Sequence, residues 1–230
     1  MKRITAIAGH YGSGKTEFSV NLALDLKKEK DKVAILDMDI ANPYFRSRER
    51  QKMMEAEGIN VIFNTYGFDI TEDLPAITAA LRGPLENEEF TAVVDVGGND
   101  SGARVLKQFE KYFKRDDCEL LCVLNANRPE TDTVEGMLEH LHSIEIETGL
   151  KFHGLINNTH LLRETTADDI VKGYKLCRQV SDKLGIPIVW NTCREDLLDD
   201  LKQLIADENI EGLENIYPIK LYMRPSWLDR

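Results

Sequence analysis

The residues best suited to chemistry form an octapeptide near the N-terminus, GHYGSGKT, which runs from Gly9 to Thr16. It matches the pattern GxxxxGK(S/T) in full, with an apolar stretch before it and a helical pattern after it. Glycine lets the backbone curl so that successive amides point toward a phosphate, and a helix N-terminus adds partial positive charge. The octapeptide therefore predicts a phosphate-binding loop rather than a chance glycine-rich turn.

A nucleotide is the ligand that this loop predicts, in this chain ATP or ADP together with Mg²⁺. Lys15 is expected to reach the β- and γ-phosphates, and Thr16 to place its hydroxyl on the metal. The residues expected to contact the nucleotide here are Gly9, Tyr11, Gly12, Ser13, Gly14, Lys15, Thr16 and Glu17.

Acidic residues at the ends of two apolar runs are candidates for the metal and for the attacking water. Asp95 ends the run AVVD and precedes two glycines, as a Walker B carboxylate does. Asp37 and Asp39 end the run AILDMD, and residues two apart on a strand point to the same face. We expect Thr16, Asp37 and Asp95 to hold Mg²⁺, and Asp39 to act with Lys15 in catalysis by orienting the water. The alternative for each Asp is a turn residue or a helix cap.

Short apolar runs alternate with helical patterns along the chain. Several runs are apolar throughout, which is typical of strands buried on both faces of a parallel sheet. We predict a three-layer α/β/α fold of the P-loop NTPase type, with a mostly parallel central sheet of about seven strands. Residues 1–230 are expected to form a single domain with an irregular C-terminal tail at 217–230. The predicted strands are 4–9, 32–39, 60–64, 91–97, 119–125, 152–157 and 186–191.

Composition narrows the range of partners. The net charge of −11 is unsuited to direct DNA binding or to an anionic membrane surface. No apolar run approaches the ~20 residues of a membrane span, so a cytoplasmic protein is expected. The four cysteines form no CxxC pair, which argues against a zinc site and predicts reduced thiols. These are Cys118, Cys122, Cys177 and Cys193.

The order of these motifs resembles the MinD/ParA/Mrp group of P-loop ATPases over roughly residues 1–200. The resemblance rests on the phosphate loop, on LDMDIANP (36–43), on VVDVGGND (93–100) and on NRPETDTVEG (127–136). It implies a homodimeric ATPase with ATP near the subunit interface and two switch segments, Asp39–Phe45 and Asp95–Gly102. It also places Asn157 or Asn158 where members of the group bind adenine. The NKxD element of GTPases is not present there, which favours ATP over GTP.

The chain also departs from the group. A lysine directly after the first glycine of the loop is typical of these ATPases, whereas this chain has His10 and Tyr11. There is no CxxC or CxC pair for an iron–sulfur cluster, and no basic amphipathic helix at the C-terminus for membrane attachment. Delivery of iron–sulfur clusters and membrane positioning are therefore disfavoured.

Three functions remain open from the sequence. The favoured one is a slow ATPase that acts as a nucleotide-dependent switch with an unidentified protein partner. The second is an ATP-dependent small-molecule kinase or ligase of the dethiobiotin-synthetase type, in which Arg128 binds an anionic substrate. The third is a nucleotide sensor that does not hydrolyse its ligand, as the missing lysine suggests.

Overall fold

The computed structural model describes residues 1–38, 50–63, 74–98 and 105–223. Asp39 and the whole first switch segment therefore lie outside the described residues, as do residues 99–102 of the second and the chain end from 224. Within the described ranges no helix is long and apolar enough to cross a membrane.

A single parallel sheet of eight strands forms the centre of the molecule. The strands are β1 (Ile4–Gly9), β2 (Val33–Asp37), β3 (Asn60–Phe63), β4 (Thr91–Asp95), β5 (Cys118–Leu124), β6 (Gly154–Asn157), β7 (Ile188–Arg194) and β8 (Ile216–Ile219). Their order in the sheet is β3-β2-β4-β1-β5-β6-β7-β8. Every residue of β1 and β2 is buried, as the continuous apolar runs predicted.

Helices cover both faces of the sheet, so the predicted three-layer α/β/α fold is confirmed. Alternate residues of β1 belong to different cores: Ile4 belongs to the same core as Met137 on one face, whereas Ile7 belongs to the same core as Phe18 on the other. The helices in the described ranges are α1 (Lys15–Glu29), α2 (Gln51–Ala56), α3 (Leu74–Glu86), α4 (Glu110–Phe113), α5 (Val134–Thr148), α6 (Ala167–Leu184) and α7 (Leu198–Asp207), with 3-10 turns at Leu162–Glu164 and Glu195–Leu197.

The eighth strand is a correction to the irregular tail predicted from residue 217. Strand β8 pairs in parallel with β7, with Pro218 opposite Cys193. A proline is tolerated there because β8 is an edge strand, where one side of the backbone has no strand to donate to. The Tyr217 ring packs 5.2 Å from the Phe18 ring and 5.6 Å from the Trp190 ring, which fixes the strand to helix α1 and to β7.

Candidate functional site

The phosphate loop lies at the centre of the sheet, between the end of β1 and the start of α1. Its turn is closed by a hydrogen bond from Ser13 N to His10 O (3.0 Å), and Gly14 is the N-cap of α1 with φ 84°. That left-handed conformation turns the chain directly into the helix. Lys15 and Thr16 occupy the first helical positions and are only 4% and 5% exposed. The loop thus places the N-terminus of α1, Lys15 and Thr16 next to one another.

Two carboxylates lie beside the loop at the same edge of the sheet. Asp37 ends β2 and Asp95 ends β4; the two are register partners, and Asp95 is also opposite Ile7 of β1. Both are buried, at 5% and 0% exposure. Thr16 and one or two carboxylates are a hard-oxygen donor set that suits Mg²⁺ held partly by substrate phosphates. Asp37 and Asp95 are thus neighbours at the edge of the sheet where β1 leads into the phosphate loop, whereas Asp39 falls outside the described residues.

The segment after β4 packs directly on the loop. A Cβ added to Gly98 would lie 2.9 Å from both Gly9 O and Tyr11 N, and 3.1 Å from Lys15 Nζ. Only glycine fits so close to another backbone. Residues that follow the Asp95 carboxylate are thus in contact with the groups predicted to bind phosphate.

A cavity of about 170 Å³ opens beside the loop. Gly12, Lys15 and Thr16 contribute to its lining. Apolar side chains line it as well, namely those of Leu162, Ile170, Ile219, Leu221 and Met223. A cavity lined both by a lysine with loop amides and by apolar side chains matches the two chemistries of a nucleotide, its phosphates and its base.

A family model described as the CobQ/CobB/MinD/ParA nucleotide-binding domain matches residues 4–208. The chain belongs to this family. The match spans every strand of the sheet except β8 and all the residues that converge on the phosphate loop, so the family predicted from the motifs is confirmed.

Solved structures of FtsY proteins share the fold of this family member. Chloroplast FtsY from Physcomitrella patens is 21% identical with a TM-score of 0.55, over 82% of this chain and 57% of that chain. For the cell-division protein FtsY from Thermotoga maritima the values are 22%, 0.53, 80% and 59%. For the signal recognition particle receptor FtsY from Elizabethkingia anophelis, in complex with GDP, they are 16%, 0.52, 82% and 56%. This chain spans less than three fifths of their length, and such identities show the fold alone.

The two asparagines that the sequence left as alternatives have different surroundings in this family member. Asn158 lines the cavity, donates from Nδ2 to Ser13 O (2.7 Å) and accepts from the Thr192 hydroxyl. Asn157 is fully buried and does not line the cavity; its Nδ2 donates to Ile170 O (3.0 Å). Of the two asparagines, Asn158 is thus the one that lines the cavity, and its amide is hydrogen-bonded to the phosphate loop and to Thr192.

His160 joins Asn158 against the loop. A Cβ on Gly14 would lie 2.2 Å from Asn158 Nδ2 and 2.9 Å from His160 Nε2. Burial and, to a smaller extent, the charge of the neighbouring Arg128 lower the pKa of His160 to about 4. A neutral imidazole therefore packs on the loop near pH 7, and the sequence carried no signal for this contact.

Arg128 also contacts the phosphate loop. Its Nε donates to Gly12 O at 3.0 Å, and a Cβ on Gly12 would come within 2.8 Å of its guanidinium carbon. The sequence suggested a substrate-binding arginine, whereas the structure shows a cation placed on the phosphate loop itself. The His10 ring packs against the His140 ring at 5.3 Å, and its Nδ1 lies 3.8 Å from a Glu130 carboxylate oxygen.

Glu17 has a role that its position after the loop did not reveal. It lines the cavity, and its carboxylate accepts hydrogen bonds from the backbone amides of Tyr222 and Met223. Burial raises the pKa of Glu17 to about 7, against the lowering effect of those two amides and of Arg50. The contact joins the first turn of α1 to the C-terminal segment.

Proposed function

We propose that this chain binds Mg²⁺–ATP, hydrolyses it slowly and acts as a nucleotide-dependent switch that a protein partner reads. The observation that carries this proposal is the contact of Gly98 with the loop: a Cβ there would lie 3.1 Å from Lys15 Nζ. The chain that follows Asp95 is thus in position to respond to a γ-phosphate through its backbone, as switch segments do in nucleotide-driven proteins.

The chemistry of this proposal is mainly positioning and electrostatics. Loop amides and Lys15 hold the phosphates, and Thr16 with Asp37 and Asp95 holds the metal. Mg²⁺, when bound, would neutralise part of the negative charge on the phosphates. Asp39 is proposed to orient the attacking water.

We propose ATP rather than GTP as the nucleotide, although one FtsY structure of the same fold contains GDP. Guanine presents an exocyclic amine that needs an acceptor. Among the described residues that line the cavity, Glu17 is the only carboxylate, and it already accepts from two backbone amides. Asn158 likewise uses both ends of its amide on protein groups. The described cavity wall therefore leaves no acidic side chain for guanine.

We expect ATP to bind at least tenfold more tightly than GTP, which corresponds to about 1.4 kcal/mol. Isothermal titration of the full chain with each nucleotide in the presence of Mg²⁺ measures the difference directly. CTP serves as the control for affinity that comes from the triphosphate alone. Equal affinities for ATP and GTP, or a preference for GTP, would contradict the assignment of ATP.

The switch itself is tested by ADP release together with light scattering after size exclusion, with ATP and with ADP. We expect slow turnover without any added metabolite, and a homodimer that forms with ATP and not with ADP. Turnover that is fast and depends wholly on an added small molecule would instead identify a kinase or ligase. Of the residues that suggest this alternative, Arg128 donates from Nε to Gly12 O and also lines the cavity, whereas residues 42–46 and 99–101 lie outside the described ranges. Tight ATP binding without ADP release would identify a sensor.

A further inference from the structure

One stripe of helix α1 faces the C-terminal segment 217–223, which we call the C-terminal clasp. The stripe begins one position after Thr16 and repeats every fourth residue, so its members lie on one face of the helix. At its far end, Asp25 Oδ2 accepts a hydrogen bond from the Tyr217 hydroxyl at 2.5 Å. In the middle, Asn21 donates to Lys220 O and accepts from Lys220 N, both at 2.9 Å.

Glu17 forms the near end of the stripe. Its carboxylate accepts from the backbone amides of Tyr222 and Met223, with 3.1 Å between Met223 N and Oε2. Two backbone amides converge on this one partly buried carboxyl group, which anchors the chain end to the first turn of α1. The clasp is thus held at three points along about two turns of α1.

The clasp also lines the cavity, through Ile219, Leu221 and Met223. Lys220 and Tyr222, which lie between these residues, bind α1 through their backbone, and so does the amide of Met223. A spacing of two residues is the period of extended chain, so the three apolar side chains share one side of the clasp. The clasp is thus bound to α1 through its backbone and supplies apolar side chains to the cavity.

Leu162, in the loop after β6, also lines the cavity. Leu162 has φ 57°, a conformation that costs a non-glycine residue energy and concentrates at ligand sites. It is held there by hydrogen bonds to its carbonyl oxygen from Arg194 Nη1 (3.0 Å) and Thr165 Oγ1 (2.6 Å). These two hydrogen bonds thus hold Leu162 in a strained backbone conformation at the cavity wall.

We infer that the C-terminal clasp is the nucleobase-binding wall of this protein and that Glu17 is the residue that positions it. A purine ring lies between Leu162 and the clasp, held by apolar contact. The phosphates are held separately, by the loop and by Lys15. This inference rests on the proposed function, because it takes the cavity to be a nucleotide site.

The contributions of the base and of the phosphates to the affinity can be measured separately. We would titrate the full chain with Mg²⁺–ATP and with inorganic tripolyphosphate, which carries the phosphates without the base. For Glu17→Ala we expect ATP affinity to fall at least tenfold while tripolyphosphate affinity stays within twofold. Glu17→Gln keeps one acceptor oxygen for the two amides, so it should recover part of the ATP affinity.

Glu29→Ala is the matched control, because Glu29 is an exposed glutamate at the other end of the same helix. It should leave both affinities unchanged. If Glu17→Ala does not fold, Leu221→Ser tests the same wall without touching α1, and it should also lower ATP affinity alone. Hydrogen exchange at Tyr222 and Met223 amides of the wild type should slow on addition of ATP and not of tripolyphosphate.

The outcomes separate the two proposals. Equal loss of ATP and tripolyphosphate affinity in Glu17→Ala would mean that Glu17 acts on the phosphate loop. The base-binding role of the clasp would then be overturned. Unchanged ATP affinity in both Glu17→Ala and Leu221→Ser would overturn it as well, with nucleotide binding intact. If the wild type binds tripolyphosphate as tightly as ATP, there is no base wall. If it binds neither, the proposed nucleotide function itself fails.

Discussion

Lys15→Ala is expected to lower the affinity for Mg²⁺–ATP by roughly 30-fold or more. Lys15 is 4% exposed at the start of α1, where its ammonium adds to the helix N-terminus and the loop amides. Removing one partner of a buried charge pair costs about 2–5 kcal/mol, because the other charge is left without compensation. In this site the group left behind would be the β- and γ-phosphates.

Titration calorimetry with ATP measures the loss, and thermal unfolding of the ligand-free proteins shows whether the fold is kept. Lys28→Ala is the control, since Lys28 lies in the last turn of the same helix with its side chain 75% exposed. ATP affinity that survives in Lys15→Ala would be incompatible with a phosphate site at this loop.

Gly14→Ala is expected to damage both the fold and the site. Gly14 has φ 84°, and the new Cβ would meet Asn158 Nδ2 at 2.2 Å. The left-handed conformation costs a non-glycine residue about 1–2 kcal/mol. Displacing the Asn158 amide from Ser13 O adds about 1–3 kcal/mol for a buried polar group without its partner. ATP affinity should fall at least tenfold, because loop amides that bind phosphate would shift with Gly14.

Gly185→Ala separates the two costs. Gly185 ends α6 with φ 68°, and nothing lies within 4 Å of a Cβ added there. Denaturant unfolding should therefore show a loss of about 1–2 kcal/mol for Gly185→Ala, with normal ATP affinity. The loss should be clearly larger for Gly14→Ala. Equal losses in the two variants would mean that the contact of Gly14 with Asn158 does not constrain the loop.

The parts of the site that depend on neighbouring residues could be predicted from the sequence. The loop from Gly9 to Thr16 is contiguous, and its position between a strand and a helix follows from the adjacent patterns. Asp37 and Asp95 could be placed beside it because each ends an apolar run, and the ends of parallel strands share one edge of a sheet.

The parts that depend on distant residues could not be predicted. Glu17 meets Tyr222 across 205 positions and Arg128 meets Gly12 across 116, and neither pair follows a periodic pattern. The choice between Asn157 and Asn158 depends on which face of a strand end each residue occupies, and a one-residue shift reverses that face. Strand β8 was missed because Pro218 argues against a strand until its edge position is known.

Strand β1 separates two groups of site residues in the sheet. Strands β2 and β4, with Asp37 and Asp95, lie on one side of β1, whereas β5 to β8, with Asn158 and the C-terminal clasp, lie on the other. A nucleotide in this cavity would bridge the two sides across the phosphate loop. Loss of the terminal phosphate would break the bridge on the carboxylate side only, while the base stayed bound on the other. The nucleoside diphosphate product would thus stay bound after the switch segment is released, and its dissociation would be a separate step.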